Sequence, residues 1–104
     1  MNSIKETDIQ RQICEYLELK KIFFYRNNNT PIYDARRKTF RAMPKYALKG
    51  VPDVIAVIRG QYVGIEVKKP KAYLSPNQKI FRDNLELAGG KYILARSIED
   101  LGDL

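Results

Sequence analysis

Apolar positions in this chain follow two periods. Across residues 3–20 they recur at helical spacing, at Ile9, Ile13, Tyr16 and Leu17, which predicts a helix. Ser3-x-x-Glu6 matches a capping box at its start. Ile22-Phe-Phe-Tyr25 is a short β-prone run and predicts a strand, closed off by Asn27-Asn28-Asn29-Thr30-Pro31. Val54–Ile58 and Tyr62–Lys68 read as a β-hairpin with Gly60-Gln61 as a type II′ turn. Both runs are close to continuously apolar, as in central strands buried on both faces. Pro70 breaks the second run. Ser75-Pro76-Asn77-Gln78 then opens a second helix, with Ser75 as N-cap, Pro76 first and Gln78 third. Ile80, Phe81, Leu85 and Ala88 form its apolar side, and Gly89-Gly90 ends it. Tyr92–Ala95 predicts a further strand and Ser97–Leu101 a last helical turn.

Residues 32–50 have no clear period. Tyr33-Asp-Ala-Arg-Arg-Lys-Thr-Phe-Arg41 carries four basic residues and suits either a loose hairpin or a mobile loop. The order helix, strand, basic insert, hairpin, helix, strand predicts an α/β fold with a mixed sheet flanked by helices. At 104 residues the chain is expected to form one domain, residues 1–104.

Composition narrows the chemistry. A hydrophobic content of 44% and a charged content of 30% are those of a soluble globular protein. The net charge of +7 points to a polyanionic partner, nucleic acid above all. The chain has no His, which excludes Ser-His-Asp, Cys-His and His-metal chemistry. A lone Cys14 allows no internal disulfide and no thiolate zinc site, and it reads as a small buried apolar residue. The first residues lack a signal-peptide core, and no apolar run approaches the ~20 residues that span a bilayer. A cytoplasmic location, no membrane contact and no haem or nucleotide cofactor are expected.

Asp53 stands at the head of the first hairpin strand, and Glu66-x-Lys68 closes the second. With the turn at Gly60-Gln61, Asp53 opposes Lys68 and Ile55 opposes Glu66. Side chains alternate faces, so Asp53, Glu66 and Lys68 share one face. A turn one residue earlier, at Arg59-Gly60, sets Asp53 opposite Glu66 and keeps that convergence. The plainer reading is a solvated charge cluster at the open end of a hairpin. Buried central strands weigh against it, because charges at their ends need a partner. Two carboxylates and an ammonium at one point provide oxygen ligands for a hard cation and a positive charge, as metal-assisted phosphodiester cleavage requires.

Taken together, Gly50-Val-Pro-Asp53, Gly64-Ile-Glu66-Val-Lys68 and Ser75-x-x-Gln78, with Glu6-x-x-Ile9-Gln10 in the first helix, resemble the VRR-NUC domain. That domain is a branch of the PD-(D/E)XK nuclease superfamily. The likeness runs from about Glu6 to Ala95, and the compact length looks like the stand-alone form typical of phages and other viruses. The resemblance implies a restriction-endonuclease-like core in the order α-β-β-β-α-β, and DNA cleavage dependent on Mg²⁺ or Mn²⁺. It implies that Asp53, Glu66 and the Val67 carbonyl bind the metal. Lys68 then orients or deprotonates the attacking water, or stabilises developing charge. Glu6 completes the acidic cluster and Gln78 lines the site. Branched DNA, notably the four-way (Holliday) junction, and a homodimer are implied as well. Glu6 and Gln78 also have plain roles as capping-box partners of Ser3 and Ser75, although Gln78 sits at the top of its helix's apolar side, toward the sheet.

The DNA-facing surface is expected to use Arg26, Arg36, Arg37, Lys38, Arg41, Lys45 and Lys49 before the motif and Lys69, Lys71 and Lys79 after it. Tyr33, Phe40 and Tyr46 either stack on unpaired bases or pack the insert down. Nothing resembles a base-reading module, so backbone and shape recognition is expected. The rival readings are a non-catalytic basic DNA-binding or architectural protein, and an RNA-associated protein with a basic loop.

Overall fold

Helix α1 (Glu6–Leu19) buries Ile9, Ile13 and Leu17 along one stripe, the stripe its periodicity marks out. Its start differs from expectation. Lys5 is the N-cap and has no side-chain cap bond; its carbonyl accepts from the N–H groups of Asp8 at 3.0 Å and Ile9 at 3.2 Å. Glu6 is therefore the first helical residue. The structure is a computed structural model that describes residues 4–27, 33–36, 38–40 and 45–104, so Ser3 lies outside the described residues.

Strands β1 (Phe23–Arg26), β4 (Val54–Ile58), β5 (Gln61–Val67) and β6 (Lys91–Ala95) form a four-stranded sheet in the order β1-β4-β5-β6. The β1–β4 and β4–β5 pairs are antiparallel, and β5–β6 is parallel. The sheet is thus mixed, with the two apolar runs at its centre. Strands β2 (Tyr33–Asp34) and β3 (Thr39–Phe40) pair apart from it, which realises the loose-hairpin alternative for the insert.

The central hairpin turns at Arg59-Gly60 and not at Gly60-Gln61, because Ile58 pairs with Gln61. Arg59 and Gly60 both have positive φ, 52° and 79°, as a type I′ turn requires. The ladder ends at Val54↔Ile65, and Asp53 just before it lies beside Glu66.

Alternation then divides the sheet. Val54, Ala56, Val63, Ile65 and Val67 face α1 and form the core with Ile93, Ala95 and Leu101 of a 3₁₀ turn (Ile98–Leu101). The Tyr16 hydroxyl donates to the Leu104 carbonyl at 2.8 Å and ties down the end of the chain. Cys14 packs half-buried against this core, and burial raises its thiol pKa.

Helix α2 (Pro76–Leu87) links β5 to the parallel β6. Its box is formed: Gln78 N–H donates to Ser75 Oγ at 3.3 Å, and Ser75 N–H to Gln78 Oε1 at 2.8 Å. At its end Gly90 N–H reaches the Leu85 carbonyl and Gly89, with φ 96°, donates to Glu86, so the paired glycines stop the helix as expected. The expected apolar side is only partly covered. Phe81 and Leu85 are half-buried, Ile80 and Ala88 are exposed, and no α2 residue is fully buried. Among the described residues no helix is long and apolar enough to cross a membrane.

Candidate active site

The sheet face opposite α1 receives Asp53 from the head of β4, and Glu66 and Lys68 from the end of β5. Small residues make this possible. A Cβ on Gly64 would lie 2.7 Å from Pro52 Cγ, so the proline ring rests directly on that glycine. Gly50 has φ +76°, and a Cβ there would lie 2.6 Å from the backbone of Asn77. The chain entering β4 therefore packs against the first turn of α2. Gly50-Val-Pro-Asp53 thus has a steric reason: Gly50 admits the α2 N-terminus, Pro52 caps Gly64, and Asp53 arrives beside Glu66.

Asp53 is held from both sides. Its Oδ2 accepts from Val67 N–H at 2.9 Å, and its carbonyl accepts from Asn27 N–H at 2.8 Å. Lys68 N–H donates to the Ala95 carbonyl at 3.0 Å and anchors that residue at the end of β6.

A cleft of about 480 Å³ opens here. Glu6, Lys49, Asp53, Glu66, Lys68 and Gln78 all line it, so the five residues singled out as catalytic come together at one place. Gln78 lines the cleft while completing its capping box, so the two readings of that residue hold together. Glu6 stands at the N-terminus of α1 and lines the cleft.

Glu66 is the unusual group. It is 3% exposed, and its Oε1 is buried without a hydrogen-bond partner among the described residues. Burial, then a side-chain hydrogen bond with Asp53 and the Asp53 charge, push its carboxyl pKa up to about 9; Lys68 pulls it down and Glu6 raises it. Below that value, without a cation, Glu66 keeps its proton beside Asp53.

Tyr92 belongs to this neighbourhood too, and the sequence reading missed it. It pairs with Gly64, so it shares the Glu66 face, and its hydroxyl is buried without a partner among the described residues. Burial and the negative charges of Glu66 and Asp53 raise its pKa. Only the parallel β5–β6 register reveals this placement, and no local pattern encodes it. Asn77, in the first turn of α2, is another lining residue that the reading did not assign to the site.

Among the described residues no group of three or more His, Cys, Asp or Glu is gathered to hold a metal. The donors at hand are the Asp53–Glu66 pair and backbone oxygen, with Glu6 contributing charge across the cleft. The basic residues scatter around it. Lys49 lines the cleft, and Lys69, Lys71 and Lys79 are exposed near it in sequence. Arg26 pairs with Val54, a core-facing position, and so points to the α1 side, away from the carboxylates. Arg36 and Lys38 are exposed in the β2–β3 connection. Lys45 holds its ammonium 5.2 Å from the centre of the exposed Tyr46 ring. Arg37 and Arg41 lie outside the described residues.

An acidic pair and a lysine thus stand at the strand ends of a mixed four-stranded sheet with flanking helices. The family model of the VRR-NUC domain matches residues 4–99. The chain belongs to that family, which lies within a nuclease superfamily. A solved structure described as a VRR_NUC domain protein aligns with a TM-score of 0.70 at 20% identity, over 96% of this chain and 84% of its own; this shows the shared fold. No curated protein matches the chain.

Proposed function

We propose that this protein is a metal-dependent endonuclease that hydrolyses phosphodiesters in branched DNA such as four-way junctions. The observation that carries the reading is Glu66, a buried carboxyl group with an unpartnered oxygen set beside Asp53 and Lys68. A structural role does not call for such a group, whereas a cation bound between the carboxylates supplies what Oε1 lacks. The donor set fits Mg²⁺ or Mn²⁺, hard ions that accept one or two carboxylates and keep several waters. Asp53, Glu66 and the Val67 carbonyl would hold it. When bound, the ion polarises a phosphoryl oxygen and acidifies a water.

The chain's own groups do the rest. Lys68 sets a positive charge beside the pair, where it orients the attacking water or stabilises charge developing on phosphorus oxygens. The Gln78 side-chain amide nitrogen and the Asn77 N–H offer donors to the phosphate, with the positive end of the helix dipole behind them. Glu6 adds a further carboxyl group to the cleft from the N-terminus of α1. Lys49, Lys69 and Lys71 neutralise the flanking backbone. A homodimer suits a junction, since two symmetric strands need two sites related by a twofold axis. The cytoplasm is the expected compartment.

The test is cleavage of a panel of junction, flap and plain duplex DNAs with Mg²⁺, Mn²⁺ or EDTA. Cutting that requires either ion and favours branched DNA is expected. DNA binding without cutting under every condition would replace the nuclease with the architectural reading.

A further inference from the structure

An apolar slot lies beside the catalytic cleft. Leu48, Ile80, Phe81 and Leu85 wall it, and Lys49 and Asn84 supply its polar atoms. Its volume is about 260 Å³, below the roughly 300 Å³ at which pockets for drug-sized ligands begin. Leu48 and Lys49 line both slot and cleft, so the two are continuous.

The slot coincides with the unfinished side of α2. That helix carries an apolar stripe yet buries no residue fully, and Ile80 stays 59% and Leu48 62% exposed. Exposed aliphatic side chains gathered round a concavity mark a binding surface. Its size suits one planar ring system. Apolar walls with a partly buried phenyl ring suit a π-face, and the Asn84 amide offers both a donor and an acceptor to a ring edge. Lys49 stands between the slot and the carboxylates, where the phosphate joined to such a ring would lie. The net charge of +7 favours a ligand on an anionic backbone.

From these features we infer that the slot binds one unpaired nucleobase next to the phosphodiester in the cleft. The inference rests on the nuclease reading for its substrate and adds to it a source of selectivity. A base held in a duplex must unstack to enter, whereas an unpaired base at a branch enters freely. The slot therefore favours branched DNA without reading sequence, because every base has a π-face.

The test is fluorescence anisotropy in EDTA, where nothing is cut. Two flap DNAs are compared that differ only in having bases or abasic residues at the single-stranded positions next to the branch. Wild type is expected to bind the base-bearing flap about tenfold more tightly. Ile80→Ser and the Ile80→Ser/Asn84→Ala pair, at exposed positions that line the slot and not the cleft, are expected to bind both flaps as wild type binds the abasic one. Their affinity for plain duplex should be unchanged, and circular dichroism checks their fold; should the pair fail to fold, the single variant carries the comparison. Equal wild-type affinity for the two flaps overturns the inference, as does a base preference that survives in the folded variants. Variants that lose self-association in sedimentation but keep the base preference would assign the slot to a second copy of the chain. Cleavage by wild type with Mn²⁺ is scored separately. Cutting without a base preference refutes the slot alone, and a base preference without cutting refutes the nuclease alone.

Discussion

Replacing Glu66 by Gln removes a buried carboxyl group while keeping its shape and giving Asp53 an amide donor. In the native chain, without a cation, this carboxyl titrates near 9 against 4.5 as its ordinary value. Between these values the folded protein holds a proton that the unfolded chain has released. Stability therefore falls as pH rises from about 4.5 toward 9. At pH 8 the gap is about 3.5 pKa units, a ceiling of about 5 kcal/mol at about 1.4 kcal/mol per unit. Water in the open cleft screens part of this and leaves about 2–3 kcal/mol. For a domain of this size that is about 10–20 °C in melting temperature. Thermal melts in EDTA at pH 5 and pH 8 read it directly. Wild type should lose stability between the two, and Glu66→Gln should not. At pH 8, Mn²⁺ should raise the wild-type melting temperature and leave the variant nearly unmoved. Parallel pH dependences for wild type and variant would refute the account of the carboxylate pair.

Other expectations follow from the same geometry. Gly50→Ala places a Cβ 2.6 Å from the Asn77 backbone at φ +76°, so stability should fall by more than about 2 kcal/mol in urea melts and cleavage should fall with it as α2 is displaced. Ser75→Ala removes one half of the capping box and should lower stability by about 1 kcal/mol, with a smaller loss of activity than Gly50→Ala. DNA affinity should drop steeply with salt in a titration from 50 to 200 mM, since counterion release dominates a protein of net charge +7; a flat profile would contradict backbone recognition.

Much of the fold was legible because local rules fixed it. The stripe Ile9, Ile13 and Leu17 needs only the helical period, and all three are buried. The Ser75–Gln78 box and the terminal glycines of α2 are short-range signals that the structure repeats. The hairpin was legible in kind but not in register. Arg59 takes a left-handed conformation that favours glycine, which no pattern of apolar residues announces. Convergence of Asp53, Glu66 and Lys68 withstood that error because moving a two-residue turn by one position preserves strand parity. Helix α1 starts later than residue 3, at Glu6, because its N-cap is Lys5, a residue that carries no capping signature. Tyr92 was invisible because a parallel partner strand is chosen by tertiary packing. The steric roles of Gly50 and Gly64 likewise depend on α2 and Pro52, which only the fold brings near.

The central claim is that Asp53, Glu66 and Lys68 act as one metal-dependent centre. Its most direct measurement is the single-turnover cleavage rate of a four-way junction with Mn²⁺, for wild type, Asp53→Asn, Glu66→Gln and Lys68→Ala side by side, with junction binding followed in EDTA. All three variants should cut at least about a hundredfold more slowly while binding the junction much as wild type does. Cutting at the wild-type rate by any of the three would contradict the claim.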